Sequence, residues 1–232
     1  MNVAIVVAGG KGVRFGGDRP KQFLEVNGSP IIIHTLRQFE RCREIGSVIV
    51  VLPAEETAGF QSLIEKFALQ KVTRVVAGGA TRAQSVKQGL AAIEDADVVA
   101  VHDAVRPLVT PDEIDSVVKA ANESSAAILV ARVSDTIKDV RSDRVVNTLP
   151  RVNLRRALTP QCFRLDILRR AYQQLDQLEA TATEVTDDSF LVERLGLEVV
   201  AIEGSVRNIK ITREEDLVFA KAFLSQQLFS NG

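Results

Sequence analysis

The chain has almost no net charge to offer a polyanion. Its 29 lysines and arginines stand against 30 aspartates and glutamates, a formal −1 at neutral pH. Whole-molecule attraction to nucleic acid or to a membrane is therefore not expected, and any work its cations do must be local. Cysteine is as sparse. Cys42 and Cys162 are the only two, too far apart for a metal-ligand spacing, and they read as structural thiols of a reducing compartment. No apolar run approaches the roughly 20 residues a membrane-crossing helix needs, and the first residues enter a strand without a charged leader or cleavage signal. A cytoplasmic protein is expected. The histidines are His34 and His102 alone. His34 reads as a helix-surface residue and His102 as a packed strand residue, so imidazole catalysis has little to rest on. Internal repeats and low-complexity segments are absent.

What is present is the balance of an ordinary globular protein, 46% apolar and 25% charged over 232 residues. One domain is expected to span residues 1–232. Val3–Val7, Val48–Leu52, Val98–Val101 and Ala126–Val130 are continuous apolar runs, the signature of strands buried on both faces of a parallel sheet. Helical stretches alternate with them. Ser29-Pro30 and Thr110-Pro111-Asp112-Glu113 carry helix-start signals. Thr81 starts a helix with Val86, Leu90 and Ile93 on its buried side. The alternation predicts a Rossmann-like, three-layer α/β/α sandwich with a mostly parallel sheet, whose ligands bind at the carboxyl ends of the strands.

Past Val130 the pattern changes. Residues 133–155 carry Thr136-Ile137-Lys138 and Val145-Val146-Asn147 about a turn at Arg141–Arg144, a β-hairpin with too little apolar surface to stand alone. It is expected to protrude as a β-arm and pack on a second copy of the chain, with folding back on its own domain as the alternative. Residues 165–178 and 187–195 read as helices, and Leu197–Ile202 and Asn208–Ile211 as strands. Thr212-Arg213-Glu214-Glu215 reads as a capping box for a last helix with Leu217, Ala220, Leu224 and Leu228 on one face.

Chemistry concentrates at the strand ends. The first run opens into Ala8-Gly9-Gly10-Lys11-Gly12-Val13-Arg14-Phe15-Gly16-Gly17, followed by Pro20-Lys21-Gln22-Phe23. Glycines bring bare N–H groups close to a ligand, and Arg14 and Lys21 add cations, which together suit a polyphosphate. The loop lacks the third glycine of the dinucleotide fingerprint and the Gly-Lys-Ser/Thr of a P-loop. A flexible loop with solvated cations is the plain alternative. Ala77-Gly78-Gly79-Ala80-Thr81-Arg82-Ala83-Gln84-Ser85 is a second glycine turn, able to read a base edge or to serve only as a strand-to-helix turn. In Val101-His102-Asp103-Ala104-Val105-Arg106-Pro107, Asp103 could hold Mg²⁺ and Arg106 could grip phosphate, or the two could form an internal ion pair. Arg151 and Lys210 are further cations by position. Lys210, between two isoleucines, points away from the core side, to solvent or to a cleft, and from this strand in isolation a solvated lysine is the favoured reading.

Taken together these segments resemble the 2-C-methyl-D-erythritol 4-phosphate cytidylyltransferases. The resemblance runs from Val3 to about Leu217. It is carried by Gly10-x-Gly12-x-Arg14, Pro20-Lys21-Gln22, Gly78-Gly79-x-x-Arg82-x-x-Ser85, His102-Asp103-Ala104-x-Arg106-Pro107, Asp135–Lys138, Thr159-Pro160-Gln161, Thr186-Asp187-Asp188 and Asn208–Thr212. It implies a nucleotidyltransferase sandwich that moves CMP from CTP to methylerythritol phosphate, with Mg²⁺ as cofactor. By resemblance, Arg14 and Lys21 stabilise the transition state. Ala8, Gly9, Gly12, Gly78, Arg82, Ser85, Asp103 and Ala104 surround the nucleotide, Asp103 also facing the metal. Arg106, Thr136, Arg151, Thr159, Thr186 and Lys210 face the polyol phosphate, with Arg151 and Lys210 aiming it at the α-phosphorus. A homodimer that exchanges β-arms is implied, Thr136 and Arg151 serving the partner's site.

Residues 8–12 are also similar to ribitol-5-phosphate cytidylyltransferases, which name the rival acceptor. Asp135–Lys138 and the spacing of Arg151 to Thr159 favour methylerythritol phosphate. Rivals of other classes are a CTP-sensing module without turnover and a nicotinamide oxidoreductase, the latter opposed by the missing glycine.

Overall fold

The computed structural model describes residues 1–8 and 20–229, with side chains to residue 225. In chain order the described elements are β1 (Val3–Val7), β2 (Glu25–Val26), β3 (Ser29–Pro30), α1 (Ile31–Arg41), β4 (Ser47–Leu52), α2 (Ala54–Lys66), β5 (Val72–Ala77), α3 (Arg82–Ala91), β6 (Val98–Asp103) and α4 (Pro111–Ser124). Then come β7 (Ala126–Arg132), β8 (Ile137–Arg141), β9 (Arg144–Leu149), β10 (Arg155–Arg164), α5 (Leu165–Tyr172), α6 (Leu175–Ala180), α7 (Asp188–Glu193), β11 (Val200–Glu203) and α8 (Glu214–Phe229).

Among the described residues one sheet holds seven strands in the order β11-β7-β10-β6-β1-β4-β5. The expected apolar runs are its centre. β1 pairs in parallel with β4 and β6, β4 with β5, and β11 with β7. Side-chain alternation divides these strands cleanly between two helix layers. Ala4, Val6, Val48, Val50, Val98 and Ala100 face one core with Ile32, Leu36 and Phe39 of α1, Phe60 of α2 and Val117 of α4. Val3, Ile5, Ile49, Val51, Val99 and Val101 face the other with Val86 and Leu90 of α3, Leu168 of α5 and Leu191 of α7. A smaller cluster of Val26, Ile31, Val105, Leu108, Ile211, Ala220 and Leu224 ties α8 to the loop after β6.

β10 is the strand that the sequence pattern does not announce. It runs antiparallel to both β6 and β7, with a register shift between Ala157 and Gln161. Its exposed, arginine-bearing first half hides the buried stretch Leu158–Phe163. Other expectations need correction. His34 is buried, not on the surface, and its Nε2 lies 2.7 Å from the Val26 carbonyl. Ser29 does not cap α1: Ser29-Pro30 pairs with β2 across the Asn27-Gly28 turn, and the Ser29 hydroxyl accepts from Arg37. Residues 165–178 form two helices, and the late strand begins at Val200 rather than Leu197. Asn208–Ile211 is irregular backbone, because hydrogen bonds from Asn208 and Ile211 go to Ser205 and Val105 instead of a ladder. The Thr212 bonds that open α8 go to Asp216, not Glu215. Ala220 and Leu224 are buried as expected, and the Leu228 side chain lies outside the described ones.

Two helix starts are as the sequence predicts. Thr81 accepts from Gln84 N–H at the head of α3. Thr110 and Glu113 form a reciprocal capping box with Pro111 at the first position of α4. The other oxygen of Glu113 accepts from Ser205 N–H, which anchors the loop that leads to Lys210.

The β-arm is a separate two-stranded sheet, β8 with β9. Its turn residues Ser142 and Asp143 have φ of 47° and 61°, the left-handed pair that matches strand twist in a two-residue hairpin. Val140, Val145, Val146 and Val152 are all more than half exposed.

Candidate active site

The site is built at the carboxyl edge of β6. Asp103 closes that strand and is buried, its side chain turned to the α3 side of the sheet. Three cations from three segments meet its carboxylate. Arg82, the first residue of α3, reaches Oδ1 at 2.9 Å, Lys210 reaches Oδ2 at 3.0 Å, and Arg106 reaches Oδ2 at 3.4 Å. Burial alone would raise the Asp103 pKa, but Arg82, Lys210 and Arg106 outweigh it and hold the carboxyl well below the usual range. Arg82 also reaches Asp188 at 2.8 Å. Burial lowers its pKa, yet Asp188 and Asp103 more than offset that, and it stays charged. Asp188, fully buried at the start of α7, accepts in addition from the Tyr172 hydroxyl. That hydroxyl is pushed far up by burial and by the neighbouring carboxylate.

Gln161 on β10 orients this second acid. Its Oε1 accepts from Asp188 and Ser189 N–H, and its Nε2 donates to Asp187. Asp188 and Tyr172 are participants that sequence reasoning misses. Asp188 stands in the Thr186-Asp187-Asp188 motif, but nothing local tells that its carboxylate meets Arg82, 106 residues away.

The end of β1 lies beside β6, Ala104 N–H bonding the Val7 carbonyl. Ala8 is buried there, and its carbonyl accepts from Gln22 at 2.7 Å. Lys21 donates to the Ile211 carbonyl at 3.0 Å, one residue beyond Lys210. Lys21 and Lys210 thus come to one edge of the molecule. The second glycine turn sits at the end of β5. A Cβ on Gly78 would stand 2.7 Å from Ser85 Oγ, so a side chain there would displace that hydroxyl. Ser85 Oγ accepts from Gly79 N–H and donates to the Thr81 carbonyl. Its hydroxyl shapes the turn.

Of the residues expected at the site, Ala8, Lys21, Gly78, Arg82, Ser85, Asp103, Ala104, Arg106, Thr159 and Lys210 lie on adjoining strand ends and loops. Thr159 Oγ1 accepts from Asp103 N–H at 3.2 Å. Thr136 and Arg151 do not join them within one chain. Both are exposed on the arm, Arg151 donating to the Ser134 carbonyl. Thr186 is exposed just before α7. Gly9, Gly12 and Arg14 lie outside the described residues. Among the described residues no three His, Cys, Asp or Glu side chains gather as a ready metal site, and no helix is long and apolar enough to cross a membrane.

An α/β sandwich whose carboxyl edge gathers cations about a buried acid, beside a glycine turn and the end of β1, defines a nucleotidyltransferase. The comparisons specify which. The family model IspD, 2-C-methyl-D-erythritol 4-phosphate cytidylyltransferase, matches residues 2–226. The chain is 40% identical over 226 residues to the protein of that name from Bacillus velezensis, covering 97% of this chain and 96% of the other. It is 42% identical over 226 residues to that from Alkaliphilus metalliredigens, covering 96% and 92%. Among solved structures, 4-diphosphocytidyl-2C-methyl-D-erythritol synthase from Anaerococcus prevotii superposes with a TM-score of 0.83 at 30% identity, covering 97% of this chain and 96% of that one. The chain belongs to the 2-C-methyl-D-erythritol 4-phosphate cytidylyltransferase family, whose reaction is CTP-dependent CMP transfer in isoprenoid biosynthesis.

Proposed function

We propose that this chain, a single domain with a dimerising arm, joins CMP from CTP to 2-C-methyl-D-erythritol 4-phosphate by in-line attack of the phosphate oxygen on the α-phosphorus, releasing pyrophosphate. The observation that carries this is the convergence of Arg82, Arg106 and Lys210 on buried Asp103, with Lys21 beside them. A phosphate monoester is largely a dianion at neutral pH, its second pKa being near 6, so no general base is required. The histidines agree with that: His34 and His102 are both buried and hydrogen-bonded. The obstacle is repulsion between two anions and the charge that develops on the leaving pyrophosphate. Fixed cations in a partly dry cleft lower it.

In this reading Arg14 and Lys21 stabilise the transition state. Ala8, Gly9, Gly12, Gly78, Arg82, Ser85 and Ala104 surround CTP. Arg106, Thr159, Thr186 and Lys210 receive the polyol phosphate. Thr136 and Arg151 reach the site of a second copy, the exposed valines of the arm forming the contact between copies. Asp103 alone does not make a metal centre, since three cations already face it. It fits an ion that arrives on the triphosphate and takes one carboxylate, as Mg²⁺ commonly does. When bound, Mg²⁺ neutralises phosphate charge. Two free, buried cysteines accord with a reducing cytoplasm.

Pyrophosphate release from CTP is the test, with methylerythritol phosphate and ribitol phosphate assayed in parallel. Release with the first alone is expected. Release only with ribitol phosphate would transfer the chain to the rival acceptor, and CTP binding without release from either would make it a sensor.

A further inference from the structure

The packed-strand reading of His102 is right about its burial and incomplete about its role. His102 is fully buried on the face of β6 opposite Asp103, against the Phe39 ring of α1. Its Nε2 lies 3.2 Å from the Arg106 carbonyl and its Nδ1 lies 3.0 Å from Thr159 Oγ1. A carbonyl can only accept, so Nε2 carries the proton and Nδ1 accepts from the threonine hydroxyl. Two more bonds continue from these partners. Arg106 Nη1 donates to the Asn208 carbonyl at 2.9 Å, and Asn208 Nδ2 donates to the Thr159 carbonyl at 2.9 Å. The donors run one way around a closed ring: His102 to Arg106, Arg106 to Asn208, Asn208 to Thr159, Thr159 to His102.

The ring ties together the end of β6, the loop before α4, the shifted part of β10, and the irregular loop after β11, adding side-chain bonds where β6–β10 pairing and the Ile211–Val105 bond already bring these segments together. Three of the four carry a group of the acceptor side. Arg106 and Thr159 are members themselves, Lys210 stands two residues after Asn208, and the Asp103 N–H bonds Thr159 Oγ1. Of the nucleotide-side residues Ala8, Gly78 and Ser85 take no part, while Asp103 and Ala104 follow His102 directly and Asp103 N–H reaches the ring at Thr159. Asn208 is a poor choice for stability alone, because its buried Oδ1 has no partner among the described residues and an apolar side chain would leave no such orphan.

We propose that His102 and Asn208 are positioning residues for acceptor binding, holding Arg106, Thr159 and Lys210 at the spacing that receives the polyol phosphate. They act through their hydrogen bonds and touch no reacting atom. Imidazole titration plays no part, since burial pushes His102 down to about 3 and it stays neutral at working pH. The proposal rests on the acceptor reading above.

The test compares wild type with His102→Leu, His102→Gln and Asn208→Ala. Pyrophosphate release gives KM for methylerythritol phosphate, and calorimetry gives Kd for CTP. His102→Leu fills the space without either bond, and His102→Gln offers the Arg106 carbonyl a donor again. The expected result is a tenfold or greater rise in acceptor KM for His102→Leu and Asn208→Ala, partial rescue in His102→Gln, CTP affinity within threefold, and an unchanged shape of the pH–rate profile. Equal losses for both substrates, no loss in any variant, or disappearance of a pH limb near 6.5 in His102→Gln would overturn it. Should His102→Leu fail to fold, the other two variants decide. Failure of the underlying reading is separate, since wild type would then release no pyrophosphate with this acceptor.

Discussion

The Asp103 cluster and the β-arm both present cations, and they are built in opposite ways. Around Asp103 every charge is answered inside one chain: two buried carboxylates, Asp103 and Asp188, share Arg82, and Arg106 and Lys210 complete the group. The arm leaves Thr136 and Arg151 exposed on a ribbon of uncovered valines. The cluster is closed on itself, while the arm's valines are covered by nothing in the same chain. The difference teaches that one chain completes the strand-end cluster by itself and leaves the arm's apolar face uncovered.

The comparison can be broken most severely at Lys21. Lys21→Ala should lower turnover by roughly 3–4 kcal/mol of transition-state stabilisation, by analogy with the loss of one oxyanion-hole donor, with the fold intact by circular dichroism. Near wild-type pyrophosphate release would remove Lys21 from the set. Next comes the cluster's internal balance. Asp188→Asn removes one of the two carboxylates that hold Arg82, and a broken buried pair costs about 3 kcal/mol. A urea-melt midpoint unchanged from wild type would mean that Asp103 alone suffices.

A smaller effect comes from pH. His102 takes up its proton near 6.5 when unfolded but only near 3 in the fold. Its contribution is therefore complete above pH 6.5 and is lost progressively as pH falls towards 3. Moving from pH 7.5 to 5 should cost about 2 kcal/mol through this residue, and urea melts of His102→Gln should show a loss that much smaller. His34, also lowered by burial, adds to the slope in both proteins. Smallest for the body is the arm. Val145→Asp with Val146→Asp should turn dimer into monomer in sedimentation while monomer stability moves by less than about 0.5 kcal/mol. CTP affinity should persist and turnover should fall. A sedimentation coefficient and turnover equal to wild type would deny the arm its role.

The sheet was readable because continuous apolar runs have few other uses, and the split of Ala4 and Val6 from Val3 and Ile5 follows from strand geometry. The arm was readable from its turn and its unsupported valines. β10 was not, since its first residues are arginines and its register shifts where Thr159 turns to the site. Alternation at Asn208–Ile211 suggests a strand, but backbone bonds to Ser205 and Val105 bend it into a loop, and Lys210, which alternation sends only to solvent or a cleft, meets the acid. His34 was misplaced because one polar residue in an amphipathic helix shows its exposure only when β2 is known to lie over it. Lys21, Arg82 and Lys210 could be gathered from sequence by resemblance alone, for no spacing rule brings Arg82 and Lys210 to one carboxylate or sets Lys21 on the residue after Lys210.

β7 and β10 are antiparallel neighbours, and Arg132 stands opposite Arg155 where the arm departs. The arm is thus an excursion spliced into what would otherwise be a plain hairpin. Replacing residues 133–154 by a tight turn would close that hairpin without disturbing any strand order. Two engineered forms follow, an armless body and a body bearing a foreign ribbon, and the junction offers a place to exchange arms while the seven-stranded sheet is left untouched.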